Sequence, residues 1–206
     1  FLPNPDTLND MKKSSERTIK AIKNNEKIAI FGDYDVDGAS ATALLGNFFT
    51  ELKLSYEVYI PDRKKEGYGP SVKAFKNLIE KNVKLIFTVD CGTLSFEAIN
   101  YAYQNNIDVI VIDHHQSEVN LPKAYSIINP NRLDDRSNLN YLCAAGVVFM
   151  FLVSLNKELR FIHWFKENNT NEPNLINFLD LVSLGTVCDV VPLTGLNRAL
   201  VHQGLK

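Results

Sequence analysis

Three short apolar runs each end in an acidic residue, and this limits the chain more than any other feature of it. Residues 28–31, 85–89 and 109–112 are built from Ile, Val, Leu, Phe, Ala and Thr and read as buried strands. Residues 56–60 alternate and stop at Pro61, suggesting another strand, and 125–128 read as a fifth, closing at Asn129-Pro130. Helical spacing fills the intervals: from an Asp6-Thr7 cap to about 24, from the first acidic loop to about 53, then 71–81 and 95–104. The charged face of the first helix (Lys12, Lys13, Glu16, Arg17, Lys20, Lys23) is most simply solvated. Strands alternating with helices in this way predict an α/β fold, a parallel sheet of about five strands flanked by helices with right-handed crossovers.

After a polar stretch at 131–140, a soft boundary, the pattern becomes helical: 143–155, 159–166, then 175–187 beyond a polar loop, and a last helix from 196. The expectation is an α/β core over 1–140 and a helical part over 141–206 packing on it within one domain. With 45% hydrophobic residues in 206, a core is easily built. No apolar run is long enough to span a bilayer and no signal-peptide pattern opens the chain, so no membrane role is expected. A formal charge of -2 leaves room for nucleic acid only at a local basic patch. Three cysteines, Cys91, Cys143 and Cys188, point to a reducing, cytoplasmic setting. Beginning at Phe1 and stopping at Lys206 inside a helical pattern, the chain reads as a fragment.

Chemistry gathers at the strand ends. The first run leads into Asp33, Asp35 and Asp37, then Gly38 and a helix. Three carboxylates in five residues repel one another unless a cation sits among them. The Asp-x-Asp-x-Asp-Gly string matches half of an EF-hand loop, but Leu44 stands where the bidentate Glu belongs, and a strand rather than a helix precedes it. The second run ends in Asp90 and the third in Asp113, His114 and His115. In an open parallel sheet these ends share one edge, where ligands bind. Five carboxylates and two imidazoles there suit a two-metal centre with Asp90 placed to bridge. Imidazole favours Mn²⁺ over Mg²⁺, and two such ions about 3.5–4 Å apart can clamp a phosphoryl group and activate water.

The strings GDYDVDG (32–38), VDCGT (89–93), IDHH (112–115) and LGTVCDVVPL (184–193) resemble motifs one to four of the DHH phosphoesterase superfamily. PDRKKEGYG (61–69), AGVVF (145–149) and LNR (196–198) narrow the resemblance to its bacterial single-strand-specific 5′→3′ exonucleases of DNA repair and recombination. The resemblance implies that Asp35, Asp37, Asp90, His114 and Asp189 ligate two Mn²⁺ or Mg²⁺ ions, with Asp90 shared. Asp33 completes one shell through water, His115 contacts the scissile phosphate, and Asp113 orients the histidines from behind. Phe31 stands where several branches carry a His four residues before the first ligand Asp, which implies weaker binding of one ion. The family's second domain and the oligonucleotide-binding domain are not found before Lys206. Single-stranded DNA is the implied substrate, with a single-strand-binding protein or a helicase as partners through those missing domains; the oligomeric state is not legible. Two alternatives stand beside this. One is a DHH phosphodiesterase for short oligonucleotides or cyclic dinucleotides; the other is a silent metal-binding scaffold that recruits repair partners.

For substrate, Arg63, Lys64 and Lys65 beside Tyr68 and Gly69 could hold a DNA backbone while Tyr68 stacks a base, or could form a solvated turn. Arg132 and Arg136 face phosphate or solvent; Arg198 reaches toward the site or forms an ion pair. Cys91 and Cys188 read as small buried packing, and His163 and His202 as surface residues.

Overall fold

The computed structural model describes residues 2–206, which alternate helix and strand through their first half. After a 3-10 turn at Pro5–Thr7 come α1 (Met11–Lys23), β1 (Ile28–Phe31), α2 (Val36–Glu51), β2 (Tyr56–Tyr59), α3 (Val72–Glu80), β3 (Leu85–Val89), α4 (Phe96–Gln104), β4 (Asp108–Ile112) and β5 (Ser126–Ile128). The helical half holds α5 (Ala144–Phe161), α6 (Trp164–Glu167), a 3-10 turn Leu175–Phe178, α7 (Leu179–Cys188) and α8 (Gly195–Gly204). All five strands are parallel, in the order β2-β1-β3-β4-β5.

The pleat divides the core. Ile28, Ile30, Leu85, Phe87, Val89, Ile110 and Ile112 face a layer made by α1, α2 and α5, whereas Ala29, Phe31, Ile86, Val109 and Val111 face α3 and α4. Phe87 lies between Phe49 of α2 and Phe151 of α5, with ring centroids 5.6 and 5.8 Å away. Full burial of one such ring contributes roughly 1.5–3 kcal/mol. The interior strands β1 and β3 are buried on both faces because helices cover both, which explains their unbroken apolar runs. Beyond this layer, α7 packs on α2, α5 and α8.

Four sequence expectations need correction here. The first helix starts at Met11, not after Asp6-Thr7: Asn4 caps the short turn instead, and Asp10 sits at φ 61 before the helix. The Asp10 carboxylate reaches away from the helix, accepting from the Ile127 N–H at 3.0 Å and from Arg132 at 2.9 Å. Arg17 is not solvated; its side chain is 5% exposed and pairs with Glu26 and Asp108. The predicted break near 156–158 is absent, since buried Asn156 donates to Glu172 at 2.9 Å and lets α5 run on. Arg132 faces neither phosphate nor solvent: it bonds Asp10, Asp134 and the Ile127 carbonyl.

Candidate metal centre

β1 delivers the first three carboxylates. Asp33 accepts from the Tyr34 N–H at 2.8 Å, and Asp35 caps α2 by accepting from the Gly38 N–H at 2.9 Å. A Cβ on Gly38 would stand 2.9 Å from the Asp33 backbone, so the turn closes only without a side chain there. Asp37, one residue into α2, is 2% exposed and turns to the start of α5, where the N–H groups of Ala144 and Ala145 donate to it at 2.6 and 2.9 Å. An anion at a helix N-terminus is favourable, so α5 is anchored on a carboxylate 107 positions earlier.

Asp90 continues β3, its N–H donating to the Ile112 carbonyl, and sits at φ 61 with 1% exposure. Asp113 continues β4 and works on its neighbours. One oxygen accepts from the His114 N–H and from His115 Nδ1 at 2.8 and 2.7 Å, and the other from the Thr93 N–H at 3.0 Å. Asp113 thus orients the His115 ring but touches only the backbone of His114, half of the expected role. Asn129 and Asn131, not singled out in the sequence, complete the scaffold. Asn129, fully buried, donates to Thr93 Oγ1 and the His115 carbonyl; Asn131 donates to the His114 carbonyl. A strand ending in Asn-Pro-Asn was the available signal.

Asp189 ends α7, the helix that arrives over Asp37. Gly185, one turn earlier, permits the approach: its Cβ would meet Asp37 Oδ1 at 2.6 Å and Ala145 Cβ at 2.8 Å. The following loop is tied down by buried Asn197, which donates to the Tyr141 and Pro192 carbonyls at 2.7 and 3.0 Å. Asn197 also escaped the sequence reading, although it lies within LNR.

These elements bring donor atoms together in three sets, each within 4.8 Å: Asp33, Asp35 and Asp90; Asp37, His114 and Asp189; and Asp90, His114 and His115. His114 Nε2 lies 3.3 Å from Asp90, 3.7 Å from Asp189 and 3.8 Å from Asp37. Its distance to Asp90 Oδ1 allows attraction without hydrogen-bond alignment, and that buried oxygen has no hydrogen-bond partner among the described residues. Burial raises the pKa of Asp33, Asp37 and Asp189, and takes Asp90 up to about 8, Asp37 and Asp35 adding to the rise against the pull of His114. Asp113 goes the other way, to about 2: burial opposes ionisation, but the bonds from His115 and Thr93 outweigh it. The Asp113 bond in turn takes His115 up to about 9. For His114 burial works against the proton, yet Asp90, Asp37 and Asp189 leave its pKa raised. An orphaned carboxylate oxygen among crowded carboxylates and one free imidazole edge fits divalent cations with oxygen and nitrogen ligands.

The remaining candidates scatter. Tyr68 does not extend freely to stack: its hydroxyl donates to the Asp90 carbonyl at 3.1 Å, with its ring edge-on to His115. Gly69 is buried, at φ +76, close to Ser95 and Cys91. Arg63 lies over the Tyr34 ring at 5.3 Å; Lys64, Lys65 and Arg136 are exposed. Arg198 is exposed on the first turns of α8 without an ion pair among the described residues. Phe31 is core, stacked on Tyr59, and offers no ligand. Cys91 is buried as expected, but Cys188 is exposed, because α7 turns that side outward. His163 and His202 lie on the surface.

The model of the DHH family, N-terminal domain, matches residues 27–186. The single-stranded-DNA-specific exonuclease RecJ of Dickeya dadantii (strain 3937) is 41% identical over 192 residues, 90% of this chain and 32% of its own length. RecJ of Escherichia coli (strain K12) is 40% identical, over 96% of this chain and 34% of its own. A crystal structure of exonuclease RecJ bound to manganese superposes with a TM-score of 0.82 at 31% identity, over 96% of this chain and 48% of that one. The chain thus spans about a third of the length of these curated relatives.

Proposed function

The chain belongs to the DHH family, and from that premise we propose that it is the catalytic part of a RecJ-like exonuclease, hydrolysing phosphodiesters of single-stranded DNA from the 5′ end. The observation that carries this reading is the buried Asp90 oxygen, unpartnered among the described residues, on a carboxylate shared by two of the three donor sets. Asp33, Asp35 and Asp90 would hold one Mn²⁺ or Mg²⁺ ion, and Asp37, His114, Asp189 and Asp90 the other. When bound, such a pair activates water, neutralises the nonbridging phosphate oxygens and stabilises the leaving alkoxide.

The chain's own groups do the rest. Asp113 keeps His115 Nδ1 engaged, so that Nε2 is the edge available to a nonbridging oxygen. Tyr68 braces the Asp90 backbone and leaves its ring beside His115. Arg63, over the Tyr34 ring and close enough to Asp33 to act on its charge, would meet the approaching strand. Residues 1–140 and 141–206 act as one catalytic unit, since Asp37 and Asp189 come from the two parts. Three free cysteines suit the cytoplasm, and partners such as a single-strand-binding protein or helicase would engage other parts of a longer protein.

The two ion sites should be unequal, because Phe31 supplies nothing to the first. Calorimetric titration with Mn²⁺ is expected to resolve a tighter and a weaker step. The direct test of function is release of mononucleotides from 5′-labelled single-stranded DNA, dependent on Mn²⁺ and abolished, with binding of both ions, in Asp90→Ala. Hydrolysis confined to short oligonucleotides or cyclic dinucleotides would point instead to another DHH phosphodiesterase, and metal binding without hydrolysis to a scaffold.

A further inference from the structure

Beside His115 a cavity of about 550 Å³ opens between the loop at Tyr68 and Pro70 and the start of α4. Its size falls in the range of about 300–1,000 Å³ that takes one small molecule. Leu94 and Phe96, 51% and 37% exposed, both line it, so two large apolar side chains that could have been buried elsewhere converge on one hollow. Single exposed apolar residues are unremarkable; a pair walling a cavity that continues into a polar centre is not.

The charges say which part of a substrate belongs there. Among the described residues the ionisable groups of the wall are Glu97, Asp113, His115 and the Tyr68 phenol, with no Lys or Arg. Asp113 already holds His115 and the Thr93 N–H. His115 is already engaged by the scissile phosphate at the mouth, so a second phosphate further inside would face Glu97 and Asp113, whereas a neutral, flat group would meet apolar walls. We propose that this cavity receives the nucleobase of the nucleotide whose phosphate is engaged at His115, with Phe96 as its stacking wall. This rests on the phosphodiesterase reading above, and adds how the nucleotide carrying the scissile phosphate is gripped. Every base has a π-face, so the grip is largely indifferent to sequence.

The test compares two ligands by calorimetry with Mn²⁺ present: thymidine 5′-monophosphate and 2-deoxyribose 5-phosphate, which lacks the base. The nucleotide should bind about tenfold tighter, the scale of one base–aromatic stack. Phe96→Ala should abolish that preference and leave the sugar phosphate unchanged, while Phe96→Tyr should keep it. Phe96 is partly exposed at the first position of α4, so the variants should fold, and Leu94→Ala offers a second probe with a smaller loss. Equal affinities in the unaltered protein, or a preference that survives Phe96→Ala, would overturn the base pocket while sparing the metal centre. Failure of both ligands to bind with Mn²⁺ would remove the phosphodiesterase reading and the pocket with it.

Discussion

The adjacent histidines have different surroundings and should fail differently. His114 turns its Nε2 to three carboxylates, whereas His115 has its Nδ1 on Asp113 and is roughly half exposed. His115→Ala is expected to lower turnover about 10²–10³-fold, the usual loss of one donor to developing charge, with ion binding nearly intact. His114→Ala should lose one ion. Calorimetry alongside kinetics decides, and loss of an ion from His115→Ala would reverse the assignment. Val190, after Asp189, is a second informative residue. It holds φ 58, unfavourable for a β-branched side chain, and is 86% exposed, so nothing is gained from packing. Val190→Gly should relieve about 1 kcal/mol of strain, net of the chain entropy of glycine. The thermal midpoint should then rise by about 2–4 °C, read by calorimetric melting.

Among the elements, α1 and α7 carry the clearest energetics. Arg17 of α1 ties Glu26, just before β1, to Asp108, at the start of β4. Burial works against ionised Glu26, but hydrogen bonds from Arg17 and Asn24 and the Arg17 charge leave its pKa lowered. A depressed folded pKa means the contribution is present above the unfolded value of about 4.3 and lost as pH falls through the folded value. Glu26→Gln should therefore cost about 2 kcal/mol at pH 7 and progressively less below about pH 4. Denaturant melts at the two pH values would show it; an equal cost at both would mean packing, not charge. On α7, Gly185→Ala would drive a methyl into Asp37 and Ala145 and cost about 1–3 kcal/mol. The same variant should weaken the ion proposed at Asp37, His114 and Asp189 more than the other, which a two-step Mn²⁺ titration separates.

For the molecule as a whole, proposed metal ligands that all lie within the chain do not imply a strong grip on DNA. Affinity for a strand comes largely from many phosphate contacts along a basic groove. With a formal charge of -2 and its densest basic cluster at 63–65, this chain offers few. It should cleave single-stranded DNA with a high apparent substrate constant and poor processivity, yet with full dependence on Mn²⁺ or Mg²⁺. Digesting end-labelled strands with this chain and with a longer version of the protein tests this; equal processivity would place the groove within these residues.

What was legible in the sequence was local. Strand period, the unbroken apolar runs of β1 and β3, and acids standing directly after strands are consequences of neighbouring residues, so five strands, their parallel sheet and the edge bearing Asp35, Asp90 and His114 could be read directly. Motif resemblance added Asp189, which no periodicity marked. The ends of helices were less legible, because Asp10 and Asn156 bond to partners far along the chain rather than to their own turns. Tertiary structure alone decided which polar groups are engaged: Arg17 buried between two acids, Arg132 spent on Asp10, Tyr68 donating to Asp90, and Asn129, Asn131 and Asn197 clamping the loops. It also decided that Asp37 seats α5 while facing His114. Such pairings join residues up to 122 positions apart, and what selects them is the cost of leaving a buried donor or acceptor unpaired. That cost exists only once the core has closed around the group, so no window of sequence contains it.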